Sequence, residues 1–175
     1  MDDTHLVLLA QASDGAKAKK AFGQLVTRHQ APLRVFLRRY TGTHQDAEDI
    51  AQETFLLAWR HINQYRGDSL FRSWLFKISI REAGRKAGRD QRQQSNDLAH
   101  DIGVETSPTD MEKRLDLHQA LARLPELERA SILLCDGCGM SHAQAAAALE
   151  TPLGSIKTYV ARARNLLRTA MEREV

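Results

Sequence analysis

Apolar residues recur at helical spacing through most of the chain. In residues 6–12 and 16–40 the repeating positions include Phe22, Leu25, Val26, Leu33, Phe36 and Leu37, the pattern of helices with one buried face. Pro32 predicts a kink or a fresh helix start inside that stretch. Beyond Gly42, Thr43 followed three residues later by Asp46 predicts a capped third helix, whose early carboxylates suit the positive end of the helix dipole. Ala47, Ile50, Ala51, Phe55, Ala58 and Ile62 fall on one side of it and read as core. The other side carries Asp49, Gln52, Glu53 and Arg60, with Leu56 alone among them and Asp46 and Glu48 at the margins. An isolated leucine in an acidic field suits a protein-docking surface, but the same pattern fits plain dipole partners beside one incidental exposed leucine.

Residues 63–69 break the periodicity and form a loop, with Asp68 or Ser69 available to cap the next helix. That helix is expected from about Leu70 through Arg85, with Phe71, Trp74, Leu75 and Ile78 facing inward and its later positions basic. Residues 89–110 are polar and aperiodic, as in a linker. Asp110 then caps a helix carrying Leu117, Leu121 and Leu124, and Pro125 opens another with Leu127, Ile132, Leu133 and Leu134, closed by Gly137 and Gly139. Ser141 and Gln144 make a capping box for a short alanine-rich helix. Together with a turn at 151–154 and a last helix from Ser155 to about Ala170, it forms a helix-turn-helix. Ile156, Tyr159, Val160, Ala163, Leu167 and Ala170 pack the last helix down, leaving Ser155, Lys157, Thr158 and Arg162 where a recognition helix meets the major groove. The expected fold is all-α: two small helical domains, residues 1–90 and 111–175, joined by a flexible linker over 91–110, the second containing the helix-turn-helix.

Charge sharpens this picture. The net charge of +3 is modest, but Arg81, Arg85, Lys86, Arg89 and Arg92 form one basic cluster and Lys157, Arg162, Arg164 and Arg168 another. With an acidic segment in the first half of the chain, this pattern suits nucleic acid at two places and protein at a third, or else plain solvated helix faces. A 42% hydrophobic content over 175 residues is enough for helical cores, yet no apolar run approaches a membrane span. The amino terminus lacks the basic flank of a signal peptide, and two cysteines do not make a disulfide scaffold, so a cytoplasmic protein without membrane insertion is expected. Cys135-Asp136-Gly137-Cys138 has metal or redox spacing, but it is a single pair, and no metal site or cofactor is expected from it. No phosphate-binding glycine loop, nucleophile motif or unexplained carboxylate pair argues for an enzyme.

Four words in order, DAEDIAQETFLLAW, YRGDSLFRSWLFKI, LARLPELERASILL and GSIKTYVARARNLLR, resemble those of bacterial RNA polymerase sigma factors of the extracytoplasmic-function (ECF) type, over nearly the whole chain. The resemblance implies an alternative sigma factor that binds core RNA polymerase and directs promoter-specific initiation under an anti-sigma factor. Asp46, Glu48, Asp49, Gln52, Glu53 and Leu56 would then dock on the coiled coil of the polymerase's largest subunit. The loop of Tyr65, Arg66, Gly67, Asp68 and Ser69, with Phe71, would help to trap a flipped base of the minus-ten element, an extruded base needing small polar groups beside a stacking surface. Arg81 and Arg85 would contact the same melted element, although family members often carry asparagines in that part and Gly84 and Gly88 weaken the helix. Ser155, Lys157, Thr158 and Arg162 would contact the duplex minus-thirty-five element, with Tyr159 standing where many relatives carry arginine. The competing class is a conventional helix-turn-helix regulator that binds duplex DNA as a dimer without polymerase.

Overall fold

A computed structural model describes residues 2–12, 15–93 and 117–172. Helix α1 (Asp3–Ala12) is followed by the long α2 (Ala16–Thr41), then α3 (His44–Arg60), a single 3-10 turn (Ile62–Gln64) and α4 (Phe71–Gln93). Helix α5, described over 117–122, leads to α6 (Glu126–Ile132), which passes into a π-helical turn (Leu133–Gly137); α7 (His142–Leu149) and α8 (Leu153–Glu172) complete the chain. No strand occurs among the described residues.

The expected caps of α3 and α7 are present. Thr43 accepts from the Asp46 amide at 3.1 Å and donates its hydroxyl to the Asp46 carboxylate at 2.6 Å, which fixes where α3 begins. Ser141 and Gln144 form the complete reciprocal box at α7. Gly42 ends α2 with φ 87°, a left-handed cap that lacks a Cβ to strain, and the turn into α3 follows from it. Replacing Thr43 by Ala is expected to cost about 1 kcal/mol of stability, measured by denaturant unfolding, because the first turn of α3 loses its side-chain acceptor.

Two expectations need correction. Helix α2 continues through Pro32, so no new helix starts there; the missing amide costs one backbone bond, while Leu33, Phe36 and Leu37 immediately after it are fully buried. Helix α4 runs to Gln93, past the expected end near Arg85 and into the stretch assigned to the linker. Arginine, lysine, alanine and glutamine all favour helix, and residues 87–89 are exposed, so no apolar period announces the extension. The rest of the expected linker, together with the Asp110 cap, lies outside the described residues.

The first four helices bury Leu6, Leu25, Leu33, Phe36, Leu37, Ile50, Leu75 and Phe76, and α6 to α8 bury Leu134, Ala145, Ile156, Val160 and Ala163. These residues form one continuous apolar cluster, because the two halves pack together through α4 against α7 and α2 against the π turn. Polar contacts line that junction. The Tyr40 hydroxyl donates to Glu126 at 2.8 Å, and the Arg129 guanidinium lies 5.1 Å over the Tyr40 ring. Burial first, then the bond to Glu126, raises the Tyr40 hydroxyl well above its usual value. Arg72 donates to the Cys138 carbonyl, tying α4 to the π turn.

Candidate functional site

The six acidic-helix residues divide into two groups. Glu48 turns toward α2, where Arg34 donates at 2.8 Å and Arg38 at 3.2 Å. Burial alone would raise the Glu48 carboxyl, but the hydrogen bonds and charges of the two arginines outweigh it and hold it below the ordinary value. Asp46 and Asp49 both reach Lys86 of α4, at 2.6 Å and 3.0 Å. Burial would lower the Lys86 ammonium; the two carboxylates instead raise it above the usual lysine value. These three acids therefore brace α3 against its neighbours.

Gln52, Glu53 and Leu56 remain outward, and Leu56 is 52% exposed. Gln52 and Leu56 lie on the rim of a shallow groove of about 430 Å³ between α2 and α3, lined also by Phe22, Val26, Phe55 and Trp59. Phe55, expected in the core, is half-buried and belongs to this groove. An apolar trough with a leucine at its edge and Gln30, Arg34 and Gln52 as its polar lining suits an amphipathic helical partner.

In the 65–69 loop, the Tyr65 hydroxyl donates to the Ser69 carbonyl, while Arg66, Gly67 and Asp68 stand exposed between them, Gly67 with φ 80°. Phe71 corrects an expectation: it is only 2% exposed and cannot stack on a base. Its ring packs against His29 at 5.5 Å, Tyr65 at 5.9 Å and Trp74 at 5.7 Å, so it is the floor of the loop. Arg81 and Arg85 are exposed but hold carboxylates, Arg85 that of Glu82 at 2.9 Å and Arg81 that of Glu150. Glu150 also takes Lys77 at 2.7 Å, and these two cations, Lys77 first, hold its carboxyl below the usual value. Glu150 ends α7 with φ 51°, so the turn of the helix-turn-helix itself reaches back to α4.

On α8, Ile156, Val160 and Ala163 are fully buried as expected, with Tyr159 and Leu167 half-buried beside them. Lys157, Thr158 and Arg162 face outward together and Ser155 is half-buried at the helix start. The Arg162 side chain is 65% exposed, and Glu128 approaches it only to 4.0 Å. Arg164 instead forks onto Asp136 at 2.8 and 2.7 Å. Cys135 and Cys138 are free and half-buried; burial pushes both thiols up, aided at Cys135 by Asp136 and opposed at Cys138 by Arg72 and Arg39. Among the described residues no group of three or more His, Cys, Asp or Glu is placed to hold a metal, and no helix is long and apolar enough to cross a membrane.

Sequence reasoning missed the residues that join distant segments: Gln11, His29, Arg72 and Glu150. Their partners lie tens of residues away, and helical periodicity carries no information about them.

A four-helix unit with an apolar groove, followed by a helix-turn-helix whose last helix presents exposed basic residues, has the architecture of a two-part DNA-binding factor. The Sigma-70 region 2 family model matches residues 25–93 and that of Sigma-70, region 4 matches residues 114–167. RNA polymerase sigma factor NccH of Alcaligenes xylosoxydans xylosoxydans is 33% identical over 167 residues, covering 87% of each protein. The ECF RNA polymerase sigma-E factor of Haemophilus influenzae is 28% identical over 187 residues, covering 98% of this chain and 96% of that protein. The chain belongs to the sigma-70 family of RNA polymerase sigma factors, in its ECF branch. Among solved structures, CnrH bound to the cytosolic domain of CnrY superposes with a TM-score of 0.77 at 26% identity, covering 99% of both chains. The sigma factor RpoE bound to the anti-sigma factor NepR from Bartonella quintana gives 0.74 at 29% identity, covering 87% of this chain and 98% of that one.

Proposed function

We propose that this ECF sigma factor works by division of labour, with residues 1–90 docking on core polymerase and opening the minus-ten region while residues 111–175 anchor the complex upstream. The observation that carries the docking assignment is the α2–α3 groove, where Leu56 stands exposed beside Gln52 and Glu53. Asp46, Glu48 and Asp49 contribute by holding α3 in place and by adding negative potential to that face. The Tyr65–Ser69 loop, floored by Phe71, takes an unstacked minus-ten base, and Arg81 and Arg85 further along α4 contact the same melted element. Ser155, Lys157, Thr158 and Arg162 read the minus-thirty-five element in the major groove. Binding energy replaces chemistry throughout, since the polymerase supplies the active site.

An anti-sigma factor is the partner that would hold the protein inactive. The sigma factor RpoE, of similar architecture, was solved with the anti-sigma factor NepR, and CnrH was solved with the cytosolic domain of CnrY. The working location is the cytoplasm, where core polymerase and promoter DNA are found. Arg81 must leave Glu150 to reach phosphate, so Glu150→Gln is expected to strengthen promoter binding by the holoenzyme roughly two- to fivefold, the range of an exposed ion pair. Filter or fluorescence titration reads this, and an unchanged affinity removes Arg81 from the minus-ten assignment.

The test of the whole reading is transcription by purified bacterial core polymerase on fragmented host DNA with and without this protein, mapping the RNA starts. New starts preceded by two spaced elements are expected. Absence of both core binding and new starts, at low and moderate salt, returns the helix-turn-helix to the dimeric-regulator reading.

A further inference from the structure

Helix α1 precedes the region 2 match, which begins at residue 25, yet both of its ends reach the footing of the minus-ten loop. Near its carboxyl end, the Gln11 side-chain nitrogen donates to the Ile62 carbonyl at 2.8 Å and to the Tyr65 carbonyl at 2.9 Å. A primary amide has two N–H hydrogens, and here both are used on the loop. Ile62 O also accepts from the Tyr65 amide at 3.2 Å, which closes the 3-10 turn. The backbone of Tyr65 is extended where the chain leaves that turn (φ −72°, ψ 116°), so its carbonyl points away from any helical ladder and Gln11 satisfies it. The Tyr65 hydroxyl then reaches forward to the Ser69 carbonyl. Arg66, Gly67 and Asp68 are thus strung between two anchors. At the other end of α1, Asp3 lies 2.8 Å from Nε2 of His29, whose ring supports Phe71 beneath the Tyr65 ring.

We propose that Gln11 is a positioning residue for base capture: it presets the Tyr65–Ser69 loop so that the groups between the anchors meet an unstacked base without first having to be ordered. This rests on the reading that the loop takes the flipped base. A three-residue exposed span containing a left-handed glycine loses conformational freedom on binding, and fixing its entry point beforehand removes part of that cost. Gln11 touches neither core polymerase nor DNA in this scheme, since both of its donors point into the protein.

The experiment uses full-length protein in holoenzyme and forked fragments of a promoter mapped by the transcription assay. An abasic site is placed in turn at each minus-ten position of the unpaired strand. For the native protein, one position is expected to lose affinity when its base is removed. In Gln11→Met, which keeps the length without donors, and Gln11→Glu, which sets an acceptor against two carbonyls, that base-versus-abasic ratio is expected to shrink about tenfold, the loss of two hydrogen bonds. Core affinity and binding to duplex upstream DNA should stay within twofold, which also shows that the variants fold. If native protein discriminates and both variants keep the full ratio, Gln11 has no positioning role. If native protein shows no abasic penalty at any position, the base-capture reading fails, and this proposal with it. A variant whose core affinity collapses along with the ratio would show that Gln11 serves the fold of the domain as a whole, which also overturns the proposal.

Discussion

Leu56→Arg is expected to weaken core polymerase binding by more than about 30-fold while leaving the unfolding midpoint nearly unchanged, since interface hot spots carry roughly 2 kcal/mol or more. The two halves of this expectation have separate causes. Leu56 is 52% exposed and makes little use of its side chain inside the protein, so a charged residue there costs the fold less than about 0.5 kcal/mol. Its neighbours Phe22, Val26, Phe55 and Trp59 form an apolar trough whose burial by a partner would be the main source of affinity. An arginine at its rim would have to be desolvated beside Arg34, which also lines the groove. Glu53→Ala serves as a contrast: an exposed rim carboxylate chiefly changes association rate and salt dependence, by a few-fold. Titration of labelled protein with core enzyme, paired with denaturant unfolding, separates the two. Unchanged core affinity for Leu56→Arg removes the groove from the docking assignment.

What could be read from the sequence follows from how local each feature is. The cap at Thr43, the Ser141–Gln144 box and the buried face of α8 depend on residues three or four apart, and all three stand as expected. The resemblance groups Glu48 with the docking residues and the helical period puts it at the margin of that face, but neither says that Arg34 and Arg38 lie alongside. Phe71 carries two expectations, an inward face and a part in base capture, and its burial bears out the first. Its position next to a loop made it a stacking candidate, whereas His29, forty-two residues earlier, and Trp74 enclose it. Residues 89–93 read as linker because an apolar period marks only helices with a buried face, and residue 89, like 87 and 88 before it, is exposed. The packing of α4 on α7, with Glu150 gripping Lys77 and Arg81, has no sequence signature at all. It brings a glutamate from one family region onto a cationic helix of the other, across a stretch outside the described residues.

Arg162→Ala is expected to lower holoenzyme affinity for a matched promoter by about 1–3 kcal/mol, roughly 5- to 150-fold, with the loss concentrated at one base pair of the upstream element. The geometry makes Arg162 the strongest candidate on α8. Its side chain is 65% exposed, with Glu128 no nearer than 4.0 Å, so the guanidinium is available for a bidentate contact with a guanine edge. Arg164 is differently placed, because the Nε–Nη2 edge of its guanidinium is already taken up by Asp136. Arg164→Ala should therefore change promoter affinity less, and without altering base preference. Two outcomes for Arg162→Ala can be told apart by repeating the titration across salt and across single-base promoter variants. A base contact gives a loss that disappears once the cognate base pair is replaced, while the salt slope is retained. A phosphate contact gives a uniform loss across sequences and a slope reduced by about one. The second result would transfer specificity to Lys157, Thr158 and Ser155. It would also make Tyr159, half-buried against the helix-turn-helix, a packing residue that sets the tilt of α8 in the groove rather than a substitute for the arginine found there in many relatives.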